Sequence, residues 1–183
     1  MKRAINIILI VLAIAAGVII IRKRKKKQVE GLGKAVNEGR PPKVRIVYSR
    51  KQDPKLMKKI TNSQDAYGIL TEIWSKQIDA REEMIVLLLD RSNKVLGYDV
   101  LSMGGITGTV ADLRLLFSVA LNSLAVGFIL CHNHPSANLN PSQSDISLTK
   151  KIKEAGLVME ISLLDHLIIS KNGYYSFADE GTL

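Results

Sequence analysis

Residues 126–145 read VGFILCHNHPSANLNPSQSD, and the fold turns on how this stretch is parsed. Residues 126–131 are an unbroken apolar run, which predicts a strand buried on both faces. The run ends at His132, and a polar segment with Pro135 and Pro141 follows. Ser142-Gln143-Ser144-Asp145 then has the pattern of a capping box opening a helix. A buried strand, a short polar loop and a capped helix together place polar residues at the end of a strand. His132 and His134 sit at i and i+2 of that extended end, so both imidazoles point the same way.

The rest of the chain extends this unit in both directions. Residues 142–155 predict a helix with Gly156 as its stop. Residues 157–170 are strand-rich, residues 171–173 (Lys-Asn-Gly) signal a turn, and residues 174–177 predict a last short strand. On the N-terminal side, residues 113–124 have helical spacing with Asp112 near their start. Residues 84–89 predict a buried strand, joined through a turn at 91–94 to a second strand at 95–101, which Gly104-Gly105 breaks. Thr61-Asn62-Ser63 caps a helix that buries Tyr67, Leu70, Ile73 and Trp74. Residues 43–49 alternate apolar and polar side chains as a strand does. The order β-α-β-β-α-β-α-β-β predicts an α/β domain with a mixed sheet and flanking helices. No internal repeat is present.

The chain has 183 residues, 46% of them hydrophobic, enough for one domain with a true core and an accessory segment. Its formal charge of +9 is unevenly placed. Residues 1–28 hold eight basic and no acidic side chains, whereas residues 61–183 hold nine basic and fourteen acidic ones. The charge of residues 61–183 therefore does not support nucleic-acid binding, and any such contact would use the basic stretch at 40–59. Residues 4–21 are apolar apart from Asn6, long enough to span a bilayer as a helix, and six cations follow at 22–27. The expectation is one N-terminal transmembrane helix with a basic flank at 1–27, uncleaved, with the C-terminal domain on the cytoplasmic side. Residues 28–42, with three glycines and Pro41-Pro42, read as a linker, and the domain begins at 43. The single cysteine, Cys131, excludes a disulfide framework and a Cys-Cys zinc knuckle.

Two histidines and a carboxylate form a common three-ligand zinc set that leaves one position for water. His132, His134 and Asp145 supply those residue types. Zinc chemistry also needs a general base near the water. Glu82 and Glu83, at the start of the buried strand, are both candidates, and the Ser142 hydroxyl could donate to an oxyanion. Each feature also has a structural reading. A lone His-x-His pair is often incidental, the Ser142–Asp145 box is an ordinary cap, and Glu82 beside Arg81 is compatible with a solvated charge. His166, in a strand-like apolar run, reads as structural. A nucleoside deaminase is the weaker reading, because it needs a His-x-Glu and a Pro-Cys-x-x-Cys and the only cysteine is Cys131.

Taken together, Glu82, His132-x-His134-Pro135 and Ser142-x-x-Asp145 resemble the JAMM (MPN+) metalloprotease signature. The closer resemblance is to the RadC-like branch of JAB-domain proteins. It is carried by GGITGTVADLR (104–114), ILCHNHPSANLNPSQSD (129–145), LTKKIKEAG (148–156) and LLDHLIISKNGYYSFADEG (163–181), over residues 43–183. The resemblance implies a JAB/MPN cytidine-deaminase-like fold and one zinc ion per chain. It implies His132, His134 and Asp145 as ligands, Glu82 rather than Glu83 as general base, and Ser142 as an oxyanion donor. JAMM deubiquitinases usually have Ser or Thr between the two histidines, whereas Asn133 stands here, as in the RadC-like branch. The expected activity is cleavage of a peptide or isopeptide bond in a protein or peptide substrate at the membrane. The alternative is a DNA-repair-associated role with a DNA-linked binding or nuclease function. A metal-free scaffold fits less well, since the ligand residues are all present.

Overall fold

The computed structural model describes residues 53–104 and 112–183. The expected anchor at 1–27, the linker at 28–42, the strand at 43–49 and residues 105–111 lie outside the described residues. Among the described residues no helix is long and apolar enough to cross a membrane. After a 3-10 turn at Pro54–Leu56, the elements are α1 (Ser63–Ile73), β1 (Glu83–Leu89), β2 (Val95–Met103), α2 (Leu113–Asn122), β3 (Gly127–Asn133), α3 (Gln143–Val158), β4 (Ser162–Ser170) and β5 (Gly173–Ser176). One mixed sheet has the strand order β2-β1-β3-β4-β5. The β1 strand is antiparallel to β2 and β3, β3 is parallel to β4, and β4 is antiparallel to β5.

Apart from Glu83 at the start of β1 and His132-Asn133 at the end of β3, the two central strands are apolar, and they are buried throughout because helices cover both faces. Alternate side chains of β1 and β3 feed two separate cores. Met84, Val86, Phe128 and Leu130 pack with Leu116 of α2 and Ile152 of α3. Ile85, Leu87, Ile129 and Cys131 pack instead with Leu70 and Trp74 of the α1 segment. Leu70, Leu116 and Leu130 are fully buried. Each contributes about 1.5–3 kcal/mol by leaving water.

Local chemistry sets the element ends. Asn62 caps α1, accepting from Asp65 N–H, and Asp112 caps α2, accepting from Arg114 N–H. The β1–β2 turn is held by Asp90, whose Oδ1 accepts from the N–H groups of Ser92 (2.8 Å) and Lys94 (2.9 Å). The helix expected to stop at Gly156 runs on to Val158. Its actual stop is a Schellman arrangement with Glu160 at φ 54°, in which Ile161 N–H donates to the Gly156 carbonyl (2.9 Å) and Glu160 N–H to that of Leu157 (3.3 Å). Gly156 is needed for a different reason, since a Cβ there would lie 2.5 Å from the Ile161 carbonyl oxygen. It lets the chain turn tightly back into β4.

A bulge in β4 matters for the site. Phe128 pairs with Leu163 and Ile129 with Asp165, so Leu164 is an extra residue in the ladder. Beyond it, His166 pairs with Leu130 and shares the α2/α3 face with it, as Leu163 does.

Candidate metal centre

The β3 strand continues through His132 to Asn133, two residues past the end of the apolar run. Its pleat sends His132 to the α2/α3 face and Asn133 to the α1 face, and His134, just beyond the strand, returns to the His132 side. Ser142 is the N-cap of α3 and Asp145 its third residue, and both halves of the expected capping box form. Ser142 N–H donates to Asp145 Oδ2 (2.7 Å), and the Ser142 hydroxyl accepts from Asp145 N–H (3.2 Å) while donating to Oδ2 (2.5 Å). The first turn of α3 thereby fixes the carboxylate against the two imidazoles.

His132, His134 and Asp145 meet with ligand atoms within 4.8 Å of one another. The two Nε2 atoms are 3.0 Å apart. His132 Nε2 is 3.3 Å from Asp145 Oδ1, and His134 Nε2 is 3.7 Å from Oδ2. Three donors around a tetrahedral zinc, each about 2.0–2.1 Å from it, stand about 3.3 Å apart. Each pairwise separation lies close to that spacing, the two contacts with Asp145 being made by different carboxylate oxygens. The His132 side chain is 3% exposed, while those of His134 and Asp145 are each 14% exposed. The cluster is therefore rooted in the core and open on one side.

Hydrogen bonds outside the cluster fix the imidazole tautomers. The Thr149 hydroxyl donates its one proton to the Asp145 carbonyl (2.6 Å), so toward His166 Nδ1 (2.6 Å) it must accept. Burial pushes the His166 pKa well below the usual value, with the neighbouring His132 adding to the effect, so the ring is neutral and its Nε2 carries a lone pair. His132 Nδ1–H therefore donates to His166 Nε2 (2.8 Å). His134 Nδ1–H donates to the Asn138 carbonyl (2.5 Å). Both cluster-facing Nε2 atoms are left as lone pairs, directed at each other and at a carboxylate. Only a positive charge among them resolves that arrangement, and the donor set fits zinc.

In the metal-free chain a proton on an imidazole Nε2 meets the same need, and the imidazoles then act as donors to Asp145. Burial pushes the Asp145 carboxyl up, but hydrogen bonds from His132, His134 and Ser142 together outweigh it and hold the group far below the usual carboxylate range. The Asp145 hydrogen bond raises the His134 pKa against burial, with the Asn138 carbonyl and the charges of Asp145 and Glu82 adding to it. Glu82, just before β1, thus stands within electrostatic reach of His134. Glu83 does not share that position. It is 1% exposed and lies on the α1 face, where its Oε1 accepts from the Ser75 hydroxyl (2.6 Å) and stands 3.5 Å from Arg81 Nε.

Of the residues expected from sequence, His132, His134, Asp145 and Ser142 come together, and Glu82 lies on the same side. His166 is deeply buried, as its apolar run suggests, and it is also the partner that orients His132. Thr149, Asn138 and Asn133 were not singled out as parts of the centre by residue type. Their contributions come through one hydrogen bond or a few, which no spacing rule marks.

Comparison with known proteins bears on the same residues. A family profile described as "RadC-like JAB domain" matches residues 60–182. The chain is 52% identical over 132 residues to a UPF0758 protein of Flavobacterium johnsoniae, covering 72% of this chain and 57% of that one. It is 44% identical to a UPF0758 protein of Porphyromonas gingivalis, covering 68% and 54% of the two chains. A UPF0758 protein of Methanosarcina mazei is 34% identical, with 86% and 68% covered. The chain spans a little over half the length of the first two relatives. The mixed α/β sheet, the His-His-Asp group at the end of its middle strand and this match lead to one statement: the chain belongs to the RadC-like JAB-domain family.

Proposed function

We propose that the protein is a zinc-dependent metallohydrolase of JAB/MPN cytidine-deaminase-like fold. In this reading it cleaves peptide or isopeptide bonds in a protein or peptide substrate, anchored by residues 4–21 with its catalytic domain at the cytoplasmic face of a membrane. The observation that carries it is the convergence of two tautomerically fixed Nε2 lone pairs with the Asp145 carboxylate. His132, His134 and Asp145 would hold the ion. When bound, zinc supplies Lewis acidity and a water whose pKa is lowered to about 7.

The chain's own groups do the rest. Glu82 takes the proton of the attacking water and returns it to the leaving amine. Ser142, whose hydroxyl proton goes to Asp145 Oδ2 in the resting arrangement, would have to turn that proton away from the carboxylate to donate to the oxyanion that develops on the scissile carbonyl. His166 and the Asn138 carbonyl keep the two imidazoles in the required tautomer. The anchor rests on the apolar run at 4–21 and the cations at 22–27.

The test is zinc content and peptide cleavage by the purified full chain, beside His132→Ala and Asp145→Ala. About one zinc per chain, lost in both variants together with cleavage, is the expected result. A folded wild-type chain that takes up no zinc would overturn the proposal.

A further inference from the structure

Asn133 lies between the two histidines but faces away from them, and it is completely buried. A carboxamide offers one acceptor oxygen and two N–H donors, and all are in use. Its Oδ1 accepts from Glu83 N–H (2.7 Å). Its Nδ2 donates to the carbonyls of Arg81 (2.9 Å) and Ile78 (2.5 Å). The first two partners, the Arg81 carbonyl and the Glu83 amide, stand on either side of Glu82. The third ties in the irregular segment between α1 and β1, whose own hydrogen bonds are local turns from Ala80 and Arg81 N–H to the Gln77 carbonyl.

Glu82 itself precedes β1 and lies just outside the paired residues of both of its ladders. Its carbonyl accepts from Gly104 N–H (2.8 Å) just after β2. We propose that Asn133 is the positioning residue for Glu82: one carboxamide on the far face of the sheet pins the backbone on both sides of it and so holds its carboxylate on the histidine side. This rests on the reading of Glu82 as general base. It also gives a physical reason for asparagine at this position. Serine or threonine has one donor proton and a shorter reach, and cannot serve two carbonyls and an amide together. A single strand end thus fixes the ligands on one face and the base from the other.

The test uses the full chain in detergent, wild type beside Asn133→Ser and the isosteric Asn133→Asp. Zinc affinity is expected to stay within about threefold of wild type, because neither variant touches a ligand tautomer. By amide exchange, Glu83 should exchange at least about tenfold faster in Asn133→Ser, while Leu87 in mid-β1 stays protected and reports an intact sheet; Asn133→Asp keeps the acceptor for that amide and loses instead both donors to the Ile78 and Arg81 carbonyls. For the peptide bond that the wild type cleaves, kcat should fall by about 10²-fold with KM little changed, the signature of a displaced base. A spectroscopic cycle needs no turnover. Glu82→Gln should alter the visible spectrum of the cobalt-substituted wild type and leave that of Asn133→Ser unaltered.

Unchanged exchange at Glu83 in Asn133→Ser would overturn the proposal, as would an undiminished kcat in both variants while Glu82→Gln abolishes turnover. If the zinc-loaded wild type cleaves nothing, the hydrolase reading fails, and the exchange and cobalt measurements still decide the role of Asn133.

Discussion

The two faces of the sheet meet the end of β3 in opposite ways. Both are packed with aliphatic side chains against helices, and both carry buried polar groups at this end. On the α1 face, Asn133, Glu83 and Ser75 satisfy one another and the nearby backbone. On the α2/α3 face, His132, His134 and Asp145 are held firmly from behind and left with lone pairs facing each other. A polar cluster that closes its own hydrogen bonds holds structure together. One that is ordered yet electrostatically incomplete is built to receive something.

The sharpest way to break this contrast is His134→Ala, which removes one of three ligand candidates. Zinc binding should be lost, read as metal per chain after dialysis, while the fold persists by circular dichroism. Next comes the pair of adjacent glutamates, one on each face. Glu82→Gln should lower kcat by about 10³-fold with zinc retained. Glu83→Gln should leave turnover within a few-fold and instead cost about 1 kcal/mol in denaturant unfolding, because the bond from Ser75 loses its charge assistance and Arg81 its nearby carboxylate. Equal kinetic effects from the two would erase the distinction between the faces.

His166→Leu deletes the acceptor behind His132 without touching the cluster directly. Zinc affinity should weaken about 10–100-fold in competition titrations. Unaltered affinity would mean that His166 only fills the core.

The smallest effect is on the pH dependence of the metal-free chain. The folded-state proton affinity of His166 is depressed, so the unfolded chain binds more protons. Its share of stability is complete above the unfolded pKa of about 6.5 and is lost as pH falls below that value. His134 is raised, so its share is complete below about 6.5 and is lost as pH rises through its higher folded value. Asp145, depressed, adds a further loss below about pH 4. Thermal unfolding with chelator should therefore peak near about pH 6.5 and fall on either side. His166→Leu should flatten the acid limb alone.

Much of this was legible in the sequence. The apolar runs of β1 and β3, the caps at Asn62, Asp112 and Ser142, and the His-x-His to Asp145 spacing each act locally, within a turn or a strand, and local rules find them. Gly156 misled, because glycine after a helical pattern signals a stop, and here it answers instead to the backbone of Ile161 across a tight return. The role of His166 was hidden for a related reason. Alternation counted from Leu163 sends His166 to the wrong face, and only the bulge at Leu164 restores it. Asn133 drew notice as a departure from Ser or Thr, but its partners lie 50 to 55 residues away, beyond any local pattern.

That separation has a consequence for the order of assembly. The ligand candidates lie within residues 132–145, so a short loop and the first turn of α3 suffice to gather them. The clamp on Glu82 exists only after β1 has paired with β3, a long-range closure that forms slowly. A nascent or partly unfolded chain therefore has its three ligand candidates to hand before Glu82 is in place. On the hydrolase reading proposed above, the placement of Glu82 is the last part of the site to form and the first to be lost.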